Sequence, residues 1–137
     1  MNAWLTTIFF IMLSACANAA SPKQVSNIDI CKVIQLTINL PKLQQYYHIA
    51  EKPERKPLKL FISDKKISCA SLTKFNEPVI LLDSINDSPY VHIVNISPTP
   101  QTIEVSFTYK AEGIKGLANF KRQGAEWQTV ISSIVEQ

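Results

Sequence analysis

The chain has 137 residues, 46% of them hydrophobic and 18% charged, and its formal net charge is +3. That length corresponds to one small domain, which can bury a modest core. The mild positive charge argues against a dedicated nucleic-acid binder, because such proteins usually carry a clustered basic face. With only 3 glycines, the sequence also disfavours the Gly-rich loops that cradle phosphate groups.

Residues 1–19 have the pattern of a secretory signal peptide, so we expect a single mature domain over residues 20–137. The apolar run at residues 8–13 leads into the small residues Ala-Asn-Ala at 17–19. An apolar run this short, followed by an A-x-A site, is typical of cleavage rather than of membrane spanning. We therefore predict a periplasmic or secreted protein.

A second processing route stays open, because residues 13–16 read Leu-Ser-Ala-Cys and match a bacterial lipobox. Cleavage before Cys16 would leave that residue lipidated at the new N-terminus, and the product would be a membrane-anchored lipoprotein. Cleavage after Ala19 would remove Cys16 together with the leader. Contact with a membrane is expected only in the first case.

Ordinary cleavage leaves two cysteines, Cys31 and Cys69. In an oxidising compartment an isolated pair is most simply a disulfide, and for a loop of this length the chain-entropy model gives about 4 kcal/mol of stabilisation. No C-x-x-C motif is present, which disfavours a redox-active pair. Neither His48 nor His92 has ligand spacing to these cysteines, so we predict no metal and no cofactor.

Helix signals begin the mature domain. Asn27 can cap a first helix, and Asp29 then lies in the first turn, where the helix dipole favours it. Pro41 suits the first turn of a second helix that runs to about residue 50. The β-branched content of the first segment keeps a strand as the alternative there. The helical spacing of three and four residues is carried by Ile30, Val33, Ile34, Thr37 and Ile38.

Strand signals follow. Residues 58–62 are predicted to form a short first strand, and residues 71–75 are expected to form a single helical turn. Residues 102–110 alternate apolar and polar side chains, which predicts a half-buried strand with one face in water. Further strands are predicted at residues 79–82, 90–96 and 114–122, with turn residues between them.

The last segment, residues 127–135, fits either a strand or a helical stripe. We favour a strand, because Val, Ile, Thr and Trp dominate and a turn at Gly124 faces the preceding strand. Helices followed by strands predict the α+β class. The expected architecture is an N-terminal helix or helices packed on a curved antiparallel sheet of about five strands.

This order resembles the cystatin-like/NTF2-like α+β superfold. The resemblance is carried by residues 109–116 (Tyr-x-x-Glu-Gly-x-x-Gly) and 120–127 (Phe-Lys-Arg-Gln-Gly-x-x-Trp). Members of this superfold often end in a long hairpin whose last strand opens with a Trp after a Gly-containing turn. The resemblance implies the fold and no particular activity, since the superfold hosts enzymes, ligand carriers and protein-binding modules. The Q-x-V-x-G loop of cystatin inhibitors is absent, and the His–Asp pair of related enzymes matches no residues here.

Catalytic motifs are missing from the sequence: there is no G-x-S-x-G elbow, no H-E-x-x-H and no EF-hand pattern. His92 lies in a predicted strand near Asp83 and Asp87, and a general base needs such a carboxylate to orient it. A partly exposed strand histidine is the more common outcome. His48 fits a helix C-terminus, where a cation is favoured. We therefore expect the protein not to be an enzyme.

Candidate binding residues surround a basic stretch at residues 52–66. Tyrosine and arginine are types that anchor interfaces, although the tyrosines could equally pack against the sheet. A turn at Gly113 is expected to leave the acidic residue before it exposed at a hairpin tip. The predicted binding surface comprises Tyr46, Tyr47, Arg55, Lys56 and Glu112.

The leading hypothesis is a non-catalytic protein-binding module, an inhibitor or immunity protein that occludes a toxin or hydrolase. A second hypothesis is a small-ligand carrier or enzyme with an NTF2-like pocket. A third is an envelope structural or assembly factor anchored through lipidated Cys16. Formation of a homodimer is left open. The pocket of the second hypothesis would be lined by His92, Phe107, Tyr109 and Trp127.

Overall fold

The computed structural model describes residues 24–137, so the predicted signal peptide and Cys16 lie outside the described residues. The helices and strands, in chain order, are α1 Asn27–Ile38, α2 Pro41–Tyr47, β1 Lys59–Ile62, β2 Thr73–Lys74, β3 Glu77–Pro78, β4 Ile80–Leu81, β5 Val91–Pro98, β6 Thr102–Tyr109, β7 Ile114–Gln123 and β8 Glu126–Glu136.

Six strands form one sheet in the order β4-β1-β5-β6-β7-β8, while β2 and β3 form a separate pair. Strands β5 to β8 make an antiparallel meander. Strand β1 pairs in parallel with both β4 and β5. The α+β class is confirmed, but the sheet is mixed and has six strands rather than being antiparallel with about five. The long excursion after β1 is the physical reason, since parallel neighbours need a long crossover connection.

The first helix is capped by Ser26 rather than by Asn27. The Ser26 hydroxyl accepts from the Asp29 backbone N–H at 3.2 Å, and an Asp29 carboxylate oxygen accepts from the Ser26 N–H at 3.0 Å. Together these bonds form a capping box. The Asn27 amide instead donates to the Ser68 carbonyl at 2.7 Å and accepts from its N–H at 3.3 Å. Asn27 therefore holds the loop after β1 against the start of α1.

The core lies between the two helices and one face of the sheet. The alternation predicted for β6 is confirmed, because its inward side chains are at most 1% exposed. Gly116 lies against the Phe107 ring, which a Cβ at this position would overlap. The main core side chains are Val33, Ile34, Ile38, Leu43, Tyr47, Leu60, Val91, Ile93, Ile103, Val105, Phe107, Tyr109, Ile114, Ala118 and Phe120.

Two local predictions are corrected. Residues 71–75 form β2 and the start of a turn rather than a helical turn, because Phe75 and Asn76 adopt φ values of 57° and 60°. The second helix ends at Tyr47 rather than near residue 50, because His48 takes a left-handed conformation with φ 51°. The final segment is the strand β8, as predicted.

The predicted disulfide is confirmed between Cys31 and Cys69, whose Cα atoms are 5.5 Å apart. It ties α1 to the loop between β1 and β2. A disulfide is consistent with an extracellular or periplasmic protein. Within residues 24–137, no helix has the length and apolar character needed to cross a membrane.

Candidate docking surface

Four of the five predicted binding residues meet at one end of the sheet, where Arg55 is their centre. Arg55 Nη1 donates to Glu112 Oε1 at 2.6 Å and to the carbonyls of Tyr46 and Tyr47 at 3.3 and 3.2 Å. Its guanidinium lies 5.6 Å from the centre of the Tyr109 ring. The side chain of Arg55 is only 6% exposed, so these contacts fasten the end of the sheet to α2.

The expectation that Glu112 protrudes at a hairpin tip is wrong. A short 3-10 turn over Lys110–Glu112 folds this residue back, and its side chain is 19% exposed. Its second carboxylate oxygen lies 3.4 Å from His48 Nε2. The contacts of Glu112 are therefore made within the chain.

Tyr47 packs in the core, as the alternative interpretation of the tyrosines held. It is 2% exposed, and its hydroxyl donates to the Ile38 carbonyl at 2.7 Å. Burial raises the pKa of Tyr47 well above its usual range, so the phenol keeps its proton. Tyr46 is half-buried and Lys56 is exposed, so these two remain accessible to a partner.

At the opposite end of the sheet, a second buried charge joins α1 to the β7–β8 hairpin. Trp127 Nε1 donates to Asp29 at 3.0 Å, and two Arg122 nitrogens approach the same carboxylate at 3.4 Å. The Asp29 and Arg122 side chains are each 6% exposed. Burial acts to raise the pKa of Asp29, but hydrogen bonds from Ser26, Trp127 and Arg122 outweigh it and hold the pKa well below its usual range.

His92 lies on the face of the sheet away from the helices. Its Nε2 is 2.6 Å from Ser63 Oγ, and burial lowers the pKa of its ring. Phe107 and Tyr109 point to the other face and are 1% exposed. The four residues expected to line an NTF2-like pocket therefore do not surround a common cavity. Among residues 24–137, no cluster of three or more His, Cys, Asp or Glu side chains could hold a metal ion.

A groove of about 530 Å³ runs between α1 and the loop around Cys69, and the disulfide and Trp127 form part of its lining. Ile28 at its rim is 68% exposed. An ion pair between Lys32 and Glu126, with 3.2 Å between nitrogen and oxygen, joins α1 to β8 beside the groove. The groove is therefore one accessible surface of the molecule, and the exposed face of the sheet is another.

We call the side of the sheet opposite the helices the outer face. Strand β7 alternates along its length, and Lys115, Leu117, Asn119 and Lys121 are its outward residues. The register places Leu117 opposite Ser133 of β8 and Ser106 of β6. Two β8 neighbours extend this apolar centre, since Ile131 pairs with Asn119 and Val135 pairs with Lys115.

The outer face exposes large apolar side chains that no part of residues 24–137 covers. Leu117 is 38% exposed, Ile131 63% and Val135 48%. Val130, at the bulge in β8, adds a further side chain that is 58% exposed. Contiguous exposed apolar patches on soluble proteins mark interaction sites. We therefore take the outer face as the candidate docking surface.

No family model, curated protein or solved structure matches the chain. The cystatin-like/NTF2-like resemblance therefore stays a prediction. The outer face has to be interpreted from the geometry and chemistry of this chain alone.

Sequence reasoning did not single out the outer face, although β8 carries a signal for it. Trp127 and Ile134 point inward, while Ile131 and Val135 point outward. A strand with one face in water is expected to be polar on that face. Apolar residues on both faces of one strand therefore indicate that each face of that strand packs against another surface.

Proposed function

We propose that this chain is a non-catalytic, periplasmic or secreted protein-binding module that docks through its outer face. The most specific role it fits is that of an inhibitor or immunity protein that occludes a toxin or hydrolase. The observation that carries the proposal is the apolar cluster of Leu117, Ile131 and Val135, 38–63% exposed on a rigid sheet.

The chain holds this surface rigid before any partner arrives. The Cys31–Cys69 disulfide fixes α1 to the loop between β1 and β2, and the Asp29–Arg122 pair fixes it to the β7–β8 hairpin. Association costs ordering entropy, and a preorganised surface reduces that cost. A preorganised face is therefore suited to blocking a partner by steric occlusion.

The charge pattern of the outer face indicates the chemistry of the partner. Lys115 and Lys121 are exposed on β7 on either side of Leu117. Glu104 lies on the same face, opposite Asn119, so the rim is net basic rather than wholly basic. An apolar centre with such a rim complements an apolar surface bordered by carboxylates. The cleft of a glycan hydrolase, which uses paired carboxylates for catalysis, has this character.

The Ser63–His92 contact does not favour an enzyme. The Ser63 N–H donates to the Ile93 carbonyl at 3.1 Å, so it is not free to stabilise an oxyanion. Within the described part of the chain, the carboxylates of Asp83 and Asp87 make no hydrogen bond to His92. A nucleophile needs its base to be oriented by a third group, and here the pair is better explained as a link between β1 and β5.

The test compares two substitutions of exposed apolar residues by lysine, Leu117→Lys on the outer face and Ile28→Lys in the groove. The full chain, expressed with its own leader, is used to capture partners from native envelope and secreted extracts. We expect the wild type and Ile28→Lys to retain one stoichiometric protein, and Leu117→Lys to lose it. Adding the wild-type chain to that protein should then abolish its activity at equimolar ratio.

The proposal is overturned if Leu117→Lys retains the partner, if Ile28→Lys loses it, or if the partner keeps its activity when saturated. Both variants change exposed side chains, so each should unfold within about 0.5 kcal/mol of the wild type. Mass spectrometry of the mature N-terminus addresses the anchored alternative, because a product that begins at Ala20 carries no lipid on Cys16.

A further inference from the structure

The two edges of the main sheet differ in length and protection. At one edge, β4 has 2 residues, and at the other β8 has 11. Proteins usually guard an exposed edge with short strands, lysines or prolines, because unpaired backbone groups invite another strand. The sequence of β8, EWQTVISSIVE, contains no lysine, arginine or proline. Strand β8 is therefore the long edge, and no lysine, arginine or proline of its own guards it.

Every second residue of β8 directs its backbone N–H and C=O away from β7, as in any antiparallel ladder. Ser132 is one of these, since its carbonyl accepts a hydrogen bond from Lys42 Nζ at 2.8 Å. Ile134 and Glu136 follow at steps of two. These groups form an edge to which a further strand can bind.

We propose that a second copy of this chain pairs with β8 in antiparallel orientation, about a two-fold axis at Ser133. In this register Ile131 lies opposite Val135 of the second copy, and Val135 lies opposite Ile131 of the second copy. Cross-strand apolar pairs of this kind stabilise antiparallel sheets. The outward backbone groups of Ser132 then meet those of Ile134 of the second copy.

The bulge and the charges of β8 together select this register over its neighbour. An axis at Ile131 would extend the pairing across the bulge at Val130, which disrupts a ladder, and would bring Glu126 next to Glu136 of the second copy, where like charges are destabilising. An axis at Ser133 instead places Glu136 opposite Val130 of the second copy. The two carboxylates are then separated.

Lys42 supplies a complementary charge. It lies at the Ser132 carbonyl, and in the proposed register Glu136 of the second copy is the diagonal neighbour of Ser132. Diagonal neighbours lie within reach of long side chains. When the copies pair, Lys42 therefore leaves the Ser132 carbonyl and forms an ion pair with the Glu136 carboxylate of the second copy. Symmetry gives two such ion pairs. The dimer goes beyond the proposed function and does not rest on it, because the backbone edge of β8 forms it, although Ile131 and Val135 belong to both surfaces.

A cysteine on the axis tests the register directly. Ser133 would face its own copy in a non-hydrogen-bonded pair, with Cα atoms about 4.5 Å apart, which lies within the range for a disulfide. We expect full-length Ser133→Cys, purified without reductant, to form a disulfide-linked dimer under mild oxidation. Ser97→Cys, also exposed but on β5, is the matched control and should remain monomeric on non-reducing gels. Equal cross-linking of the two variants, or none in Ser133→Cys, overturns the proposal.

Sedimentation equilibrium separates edge pairing from packing through the outer face. Ser132→Pro removes an N–H that points away from β7, so β8 keeps its pairing with β7. We expect it to weaken the dimer about 10-fold or more, since symmetry removes two hydrogen bonds. Leu117→Lys should leave the dimer unchanged, even where it abolishes capture of a partner. A wild-type monomer at high concentration, or a dimer lost in Leu117→Lys and kept in Ser132→Pro, would contradict the edge model.

Discussion

The two faces of the main sheet differ in how far their apolar side chains are exposed. On the inner face, Ile103, Val105 and Phe107 of β6 are at most 1% exposed beneath the helices. On the outer face, Leu117 and Ile131 are 38% and 63% exposed. The hydrophobic effect acts equally on both sets, at about 25 cal/mol per Å² of apolar surface buried. Folding removes the apolar side chains of the inner face from water. Those of the outer face stay in water, so their burial can still contribute to binding.

Polar groups follow the same division. The buried Asp29 and Arg122 are paired with each other, whereas Lys115 and Lys121 of the outer face lie in solvent. Within residues 24–137, each buried side-chain nitrogen and oxygen has a hydrogen-bond partner. Substitutions on the inner side should therefore change stability, and substitutions on the outer side should change binding.

Asp29→Ala should have the largest effect on stability. It leaves the Arg122 guanidinium buried without its carboxylate and removes the acceptor of Trp127. Breaking a buried pair from one side costs about 3–5 kcal/mol, which urea unfolding would measure. Glu104→Ala, which removes an exposed carboxylate from the outer face, is the control and should cost less than about 0.5 kcal/mol. Equal losses in the two variants would remove the distinction between the faces.

Asp29 also predicts a dependence of stability on pH. Its pKa in the folded protein is held below the ordinary value, so folding favours the charged form. The stabilisation is present above the ordinary carboxyl pKa of about 4 and is lost as pH falls below it. Asp29→Asn should therefore flatten the acid limb of a plot of unfolding free energy against pH. An acid limb of unchanged slope would show that other carboxylates account for it.

Removing the disulfide by Cys31→Ala with Cys69→Ala should cost up to about 4 kcal/mol, because it frees a long loop in the unfolded chain. The residues are 38 positions apart. Thermal unfolding of the double variant and the wild type would measure the loss. An unchanged midpoint would contradict this expectation, because it would mean that the disulfide does not restrict the unfolded chain.

Gly116→Ala should destabilise by about 1–3 kcal/mol, since one added methyl group overlaps the Phe107 ring and overpacks the core. The measurement is again urea unfolding. Combining it with Phe107→Leu provides the control, because a smaller side chain should reduce the cost of the methyl group. Additive losses in the double variant would mean that Phe107 is not what Gly116 accommodates.

Ile131→Ser should have the smallest effect on stability. The side chain is 63% exposed, so its removal should shift the unfolding free energy by no more than about 0.5 kcal/mol. The same variant should bind a partner more weakly than the wild type, which calorimetric titration would measure. A large loss of stability would show that the outer face belongs to the folded core.

How far the sequence predicted this molecule depends on the range of the interactions involved. The alternation of β6 and the pairing of Cys31 with Cys69 follow from local pattern and from counting cysteines. The ion pair between Arg55 and Glu112 joins positions 57 residues apart, and no local pattern in either segment points to the other. Glu112 was therefore expected in solvent. The parallel pairing of β1 was missed for the same reason, since it depends on the course of a long connection.

Chemical footprinting of lysines in the complex with the captured partner tests the docking surface most directly. Acetylation rates are compared with and without the partner at Lys115 and Lys121 on the outer face, and at Lys56 near α2, all exposed in the free chain. We expect the partner to protect Lys115 and Lys121 and to leave Lys56 reactive. Protection of Lys56 with full reactivity at Lys115 and Lys121 would contradict it and would move the interface to the surface around Tyr46.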